Sequence, residues 1–177
     1  MKISTKKIAY IALLTAVNTI LNTFDFSVAG GSFKISLTYI ATFLAGFYFG
    51  PCVGFLVGVL GDVLGCLIWP KGPWLPLMTL GSGLMGLIPG LVRMIKGDDR
   101  LLLVISYLIV CVVCTLGLNT YTLWKTYSSI PFLEYLIIKR IPTQLPVLFI
   151  NMILNLIALP YFNRLILPRL KDLKVAS

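Results

Sequence analysis

Apolar residues run along this chain in six stretches separated by short polar clusters, at about 6–22, 36–50, 51–69, 76–95, 101–123 and 142–167. A helix needs about 20 apolar residues, at 1.5 Å of rise each, to cross a hydrocarbon core of about 30 Å. The pattern therefore predicts an all-α integral membrane protein, a bundle of six transmembrane helices forming one domain over 1–177. Gly50-Pro51 breaks the second stretch from the third, and Pro142 opens the sixth. The second stretch is short enough to be a tilted or partly embedded helix.

Composition agrees with the pattern. Of 177 residues 58% are hydrophobic and only 12% charged, where soluble domains carry roughly 25% charged residues. So few charges cannot cover a water-facing surface, and lipid is the expected outer solvent. The net charge of +9 would otherwise hint at nucleic acid. Here the basic residues stand at the ends of the apolar stretches, which leaves no basic soluble face for that partner. Met1–Leu21 has the basic head and apolar body of a signal peptide, but with further spans behind it the expectation is a first span.

Charge also predicts orientation. With the N-terminus inside, the cytoplasmic set is Lys2, Lys6, Lys7, Arg93, Lys96, Arg100, Arg164, Arg169, Lys171 and Lys174. The outer set is Lys34, Lys71, Lys125, Lys139 and Arg140. The excess of the first set puts both termini in the cytoplasm. The three longer loops, Asn22–Ile35, Trp69–Leu75 and Trp124–Ile141, then share the outer face. They suit a lid over an outward-opening pocket, although long loops also occur without one.

Several motifs carry packing rather than chemistry. Glycines recur at near-helical spacing at Gly46, Gly50, Gly54, Gly58, Gly61, Gly65, Gly86 and Gly90, as where helix backbones approach closely in lipid. Ala12-x-x-x-Ala16 is a similar ridge that faces either the bundle or a partner subunit. Gly81, Gly83 and Gly86 spell G-x-G-x-x-G, but inside an apolar span, without the strand and phosphate-binding helix start of a dinucleotide site. Cys52, Cys66, Cys111 and Cys114 lie in apolar runs and read as small packed thiols, so no cofactor or metal is expected. The chain has no histidine, which removes the commonest general base and zinc ligand.

Ionisable groups inside spans are costly, which makes each a functional candidate. Asp62 is the clearest: it pairs with Lys71 or Arg140, accepts hydrogen bonds from an N–H-rich ligand, or relays protons. Trp69 and Trp74 flank Pro70-Lys71-Gly72-Pro73, and Asn119, Thr120, Tyr121 and Trp124 close the fifth span. Such aromatics form interfacial belts. Together with amides, a carboxylate and cations at one level, they also describe a pocket for a flat, polar, anionic molecule. Thr79, Gln144, Asn151 and Asn155 either line that pocket or bond between helices, with Asn155 expected to do the latter.

These residues carry a family resemblance. The run Gly50-Pro51-x-x-Gly54-x-x-x-Gly58-x-x-x-Asp62-x-x-Gly65, then Pro70-x-Gly72, Pro76-x-x-Thr79-Leu80 and Gly86-Leu-Ile-x-Gly90, resembles the substrate-binding S component of energy-coupling-factor (ECF) vitamin transporters. Leu118-Asn119-Thr120 through Leu123-Trp124, and Arg140 ahead of the last span, are similar to the folate-specific branch. Pro73-Trp74-Leu75-Pro76 and Pro89 depart from that branch's usual aromatics. The resemblance implies a multi-pass subunit of a bacterial cell membrane that performs no catalysis. It implies capture of folate or a related vitamin outside, followed by association with a scaffold transmembrane subunit and two cytoplasmic ATPases. Ala12 and Ala16 resemble the surface that meets the scaffold.

On this reading Asp62 accepts from the pterin's amino group and ring N–H. Thr79 and Asn119 line the pocket, and Trp69, Trp74, Tyr121 or Trp124 stack on the rings. Lys71, Lys34 or Arg140 meet the glutamate carboxylates. Two other readings stay open: a carrier of a different flat vitamin such as riboflavin, and a small membrane enzyme or scaffold subunit. The enzyme lacks a second convergent carboxylate, a histidine and a metal set.

Overall fold

The computed structural model describes residues 5–23, 25–28, 33–36, 38–70, 73–95 and 97–165. Among these, six helices dominate: α1 (Thr5–Thr23), α2 (Thr38–Phe49), α3 (Pro51–Ile68), α4 (Pro76–Val92), α5 (Asp99–Tyr127) and α6 (132–165). By length and composition α3, α5 and α6 qualify as membrane-crossing, and α1, α2 and α4 are shorter apolar helices. The 12 residues of α2 span only about 18 Å, less than a hydrocarbon core.

Three sequence expectations change. The loop Asn22–Ile35 contains an antiparallel hairpin, β1 (Asp25–Val28) on β2 (Phe33–Ser36), which a helix-only reading misses. The long outer loop Trp124–Ile141 shrinks to a turn at 128–131, because α5 continues to Tyr127 and α6 already begins at Phe132. The sixth span therefore does not start at Pro142. Pro131 takes the position before the first helical turn, where a proline breaks no helical hydrogen bond, and Pro142 lies inside a helix already under way. Finally, α4 ends at Val92 rather than 95. Both long helices widen locally to π-helical winding, at Cys111–Asn119 in α5 and Tyr135–Arg140 in α6.

Glycine sets the geometry of α2, α3 and α4. Gly50 turns the chain between α2 and α3 with φ +100°, a conformation other residues resist, and Pro51 then opens α3. A Cβ at Gly86 would lie 2.1 Å from the Gly54 carbonyl oxygen, and one at Gly58 2.2 Å from that of Ser82. The three backbones are thus in direct contact. Opposite them, Phe43, Phe47, Leu103, Tyr107, Leu148 and Leu159 form the main apolar core, with the Phe43 and Tyr107 rings stacked at 4.2 Å. Asn155 bonds across helices as expected, its amide donating to the Tyr107 hydroxyl.

Candidate functional site

Asp62 stands near the end of α3 and Thr79 near the start of α4, so the α3–α4 contact brings both to one end of the bundle. The Thr79 hydroxyl donates to Asp62 Oδ2 at 2.7 Å and accepts from Trp74 Nε1 at 2.9 Å. A hydroxyl can do both at once, so Thr79 links the indole of the α3–α4 loop to the carboxylate. Among the described residues no lysine or arginine pairs with Asp62. Its alternative partner Arg140 lies elsewhere, donating from Nε to Thr120 Oγ1 at 3.2 Å.

Asp62 lines a cavity of about 50 Å³ with Asn18, Asn22, Tyr39, Thr42, Gly58, Ser82 and Met85. These come from the end of α1, the start of α2, the end of α3 and the start of α4. Asn18, Asn22, Tyr39, Thr42 and Ser82 were missed as candidates. Their signal was available: Asn18 and Asn22 are amides four apart in an apolar helix, facing Gly61 and Gly65, also four apart. A Cβ at Gly61 would lie 2.0 Å from Asn18 Nδ2, and one at Gly65 2.5 Å from Asn22 Nδ2. The glycine pair makes room for the asparagine pair, and so holds α1 against α3.

The remaining candidates fall into other groups. Tyr121 and Trp124 cluster with Phe132, at ring separations of 6.0 Å for Tyr121–Trp124 and 5.4 Å for Trp124–Phe132. The Trp124 indole donates to the Ile130 carbonyl at 2.8 Å, so this ring closes the α5–α6 turn and is not among the residues lining the Asp62 cavity. Asn119 is buried against α4, its Oδ1 2.5 Å from where a Gly81 Cβ would be. Trp69 is exposed at the end of α3. Arg140 is within electrostatic reach of Tyr39 on the cavity wall. Lys71 lies outside the described residues; Lys34 is in β2, its side chain undescribed. Ala12 and Ala16 are exposed on α1, whose Thr15, Asn18 and Thr19 are buried.

The glycines of the G-x-G-x-x-G string all serve helix contacts: Gly81 meets Asn119, Gly83 meets Phe55 and Val59, and Gly86 meets Gly54. Among the described residues no three His, Cys, Asp or Glu converge as metal ligands do.

The profile of one protein family, the ECF-type riboflavin transporter S component, matches residues 2–163. Among solved structures, the crystal structure of FolT bound with folic acid is 28% identical, with a TM-score of 0.72 over 85% of this chain and 91% of that one. No curated protein sequence matches.

Proposed function

The chain belongs to the family of the ECF-type riboflavin transporter S component, a family of transporter subunits and not of enzymes, and from that premise we propose that it is the folate-capturing subunit of an ATP-driven vitamin importer. Six spans carry the pocket, with both termini in the cytoplasm and the Asp62 end of the bundle outermost. Ala12 and Ala16, small and exposed, offer a flat ridge to a scaffold transmembrane subunit. Since the chain has no ATP-binding motif, two cytoplasmic ATPases supply the energy.

The observation that carries the reading is Asp62 itself, a carboxylate in an apolar helix that faces a polar cavity with no lysine or arginine paired to it among the described residues. In lipid such a group calls for a hydrogen-bonding guest. The amino group and ring N–H of a pterin supply two donors to it. Thr79 fixes the acid through one bond to Oδ2, and the carboxylate keeps acceptor capacity on both oxygens for the ligand. Trp74 and Trp69 stand at the mouth to cover the rings, with Tyr121 and Trp124 bracing the neighbouring turn. Lys34, Lys71 or Arg140 would meet the glutamate carboxylates. The similarity to FolT supports folate over other vitamins.

A cavity of about 50 Å³ is well below the roughly 300–1,000 Å³ of a small-molecule pocket. Admission of a bicyclic ring therefore requires the wall to move. Trp74 is not among the lining residues, but it is more than half exposed and bonded to Thr79 beside Asp62, so it can swing away from that end of the cavity.

The family profile, named for riboflavin transporters, favours riboflavin as a second reading. Calorimetry of the purified chain against folate, reduced folates and riboflavin separates the two. Folate should bind tightly, and Asp62→Ala should weaken it at least about tenfold, the worth of one charge-assisted hydrogen bond. Unchanged folate affinity in folded Asp62→Ala removes Asp62 from the site. Riboflavin lacks carboxylates, so loss of affinity on neutralising Lys34, Lys71 and Arg140 together argues for folate.

A further inference from the structure

Asn18 is 3% exposed, and its amide is oriented by a bond whose direction is unambiguous: Nδ2 donates to the Val57 carbonyl at 3.1 Å. Only the N–H side of an amide can serve a carbonyl. Oδ1 therefore lies on the other side, buried and without a hydrogen-bond donor among the described residues. Asn18 lines the same cavity as Asp62 and packs against Gly61, the residue preceding that acid. An amide oxygen left without a donor in a bundle interior is costly, and a guest that widens the cavity lined by Asn18 can bring it one.

We propose that Asn18 Oδ1 is a ligand acceptor that works beside Asp62 and sets which heterocycle the pocket takes. This deepens the folate reading and rests on it. The two residues put acceptor-bearing side chains on the wall of one cavity, Asn18 from α1 and Asp62 from α3. Such a wall matches an edge rich in donors, as in a pterin, whose exocyclic amino group has two N–H bonds and stands next to a ring N–H. Asp62 takes the ring N–H and one amino hydrogen, and Asn18 takes the other. The corresponding edge of a flavin has one N–H between two carbonyls. Against it, the second acceptor faces a carbonyl and repels it. Specificity then comes from a mismatch built against the wrong ligand as well as from a match to the right one. The Val57 bond and the Gly61 contact hold the amide in place, so the discrimination needs no rearrangement of α1.

The test uses the purified full-length chain with folate, 2-desaminofolate and riboflavin in calorimetry, for wild type, Asn18→Ala and the near-isosteric Asn18→Leu. Either variant that remains folded should lose about tenfold in folate affinity, the worth of one hydrogen bond. Neither should lose affinity for 2-desaminofolate, which lacks the hydrogen that Asn18 would accept. The margin between folate and riboflavin should narrow by more than that factor, because the repulsion of the flavin carbonyl is lost as well. Equal losses for folate and its desamino analogue would mean that Asn18 only ties α1 to α3, and would overturn the inference. Wild type that prefers riboflavin sinks the ligand assignment itself, and shows this before any variant is made.

Discussion

The two halves of the bundle are joined by different means. Helices α2, α3 and α4 meet backbone to backbone through Gly46, Gly54, Gly58, Gly86 and Gly90. Helices α5 and α6 meet through side chains. The Tyr107 hydroxyl reaches the Asn151 carbonyl at 3.4 Å and receives the Asn155 amide, while Tyr107 itself stacks on Phe43. At the opposite end from Asp62, Arg93, just past the end of α4, pairs with Asp99 of α5 and lies 4.9 Å over the Phe47 ring, and the Tyr48 hydroxyl donates to Asn163 at 2.7 Å. A glycine contact has no rotamer to adjust, so it fixes the spacing of α3 and α4, and with it the distance between Asp62 and Thr79. A side-chain contact can relax. Asp62, the carboxylate proposed to bind the ligand, and its hydroxyl partner therefore stand on the part of the bundle that yields least.

This contrast is open to direct attack. The largest effect should come from Gly86→Ala. Its methyl group would meet the Gly54 carbonyl oxygen at 2.1 Å, and overpacking against backbone should cost about 3 kcal/mol or more. Size-exclusion profiles and thermal melting in detergent should show little folded protein. A well-folded Gly86→Ala would mean that the glycine half is as compliant as the other. Next comes Thr79→Val, which keeps the shape but removes the hydroxyl between Trp74 and Asp62. Folate affinity should fall about fivefold to tenfold, one hydrogen bond's worth, with little change in melting. A large loss of stability instead would make Thr79 part of the scaffold.

Smaller effects belong to the side-chain half. Arg93→Ala removes a partly exposed ion pair and a cation–ring contact, worth about 1 kcal/mol together, and should leave folate affinity unchanged. Asn155→Leu should cost only about 0.6 kcal/mol, typical of one interhelical hydrogen bond in a membrane protein. Melting curves of both variants check this, and a cost in either that rivals Gly86→Ala would erase the distinction between the halves.

Much of the architecture was legible without coordinates. Six apolar runs, the Gly50-Pro51 break and the glycine spacing each reflect a local requirement, either a length of helix in lipid or a backbone without side chains. Asp62 was legible for the same reason, because a lone carboxylate in an apolar run is conspicuous at any resolution. Its assignment to a site with Tyr121 and Trp124 was not, since residues 62 and 121 are linked only through the way α3, α4 and α5 are arranged in space. Those two rings were drawn instead to Phe132 and the turn after Tyr127. Proline was also ambiguous as punctuation: Pro131 and Pro142 both look like helix starts, and only the bundle shows which one is.

What the amino-acid order decided alone was the solvent, the helical class and the presence of an acid within an apolar span, all of which follow from hydrophobicity and period along one dimension. What only the tertiary structure decided was the company Asp62 keeps: Thr79 on one side, and the Asn18–Asn22 pair of α1 set into the Gly61–Gly65 notch. The physical reason is that polar groups in a bundle are satisfied across helices, by residues tens of positions apart, and no local pattern records which helix will be the neighbour.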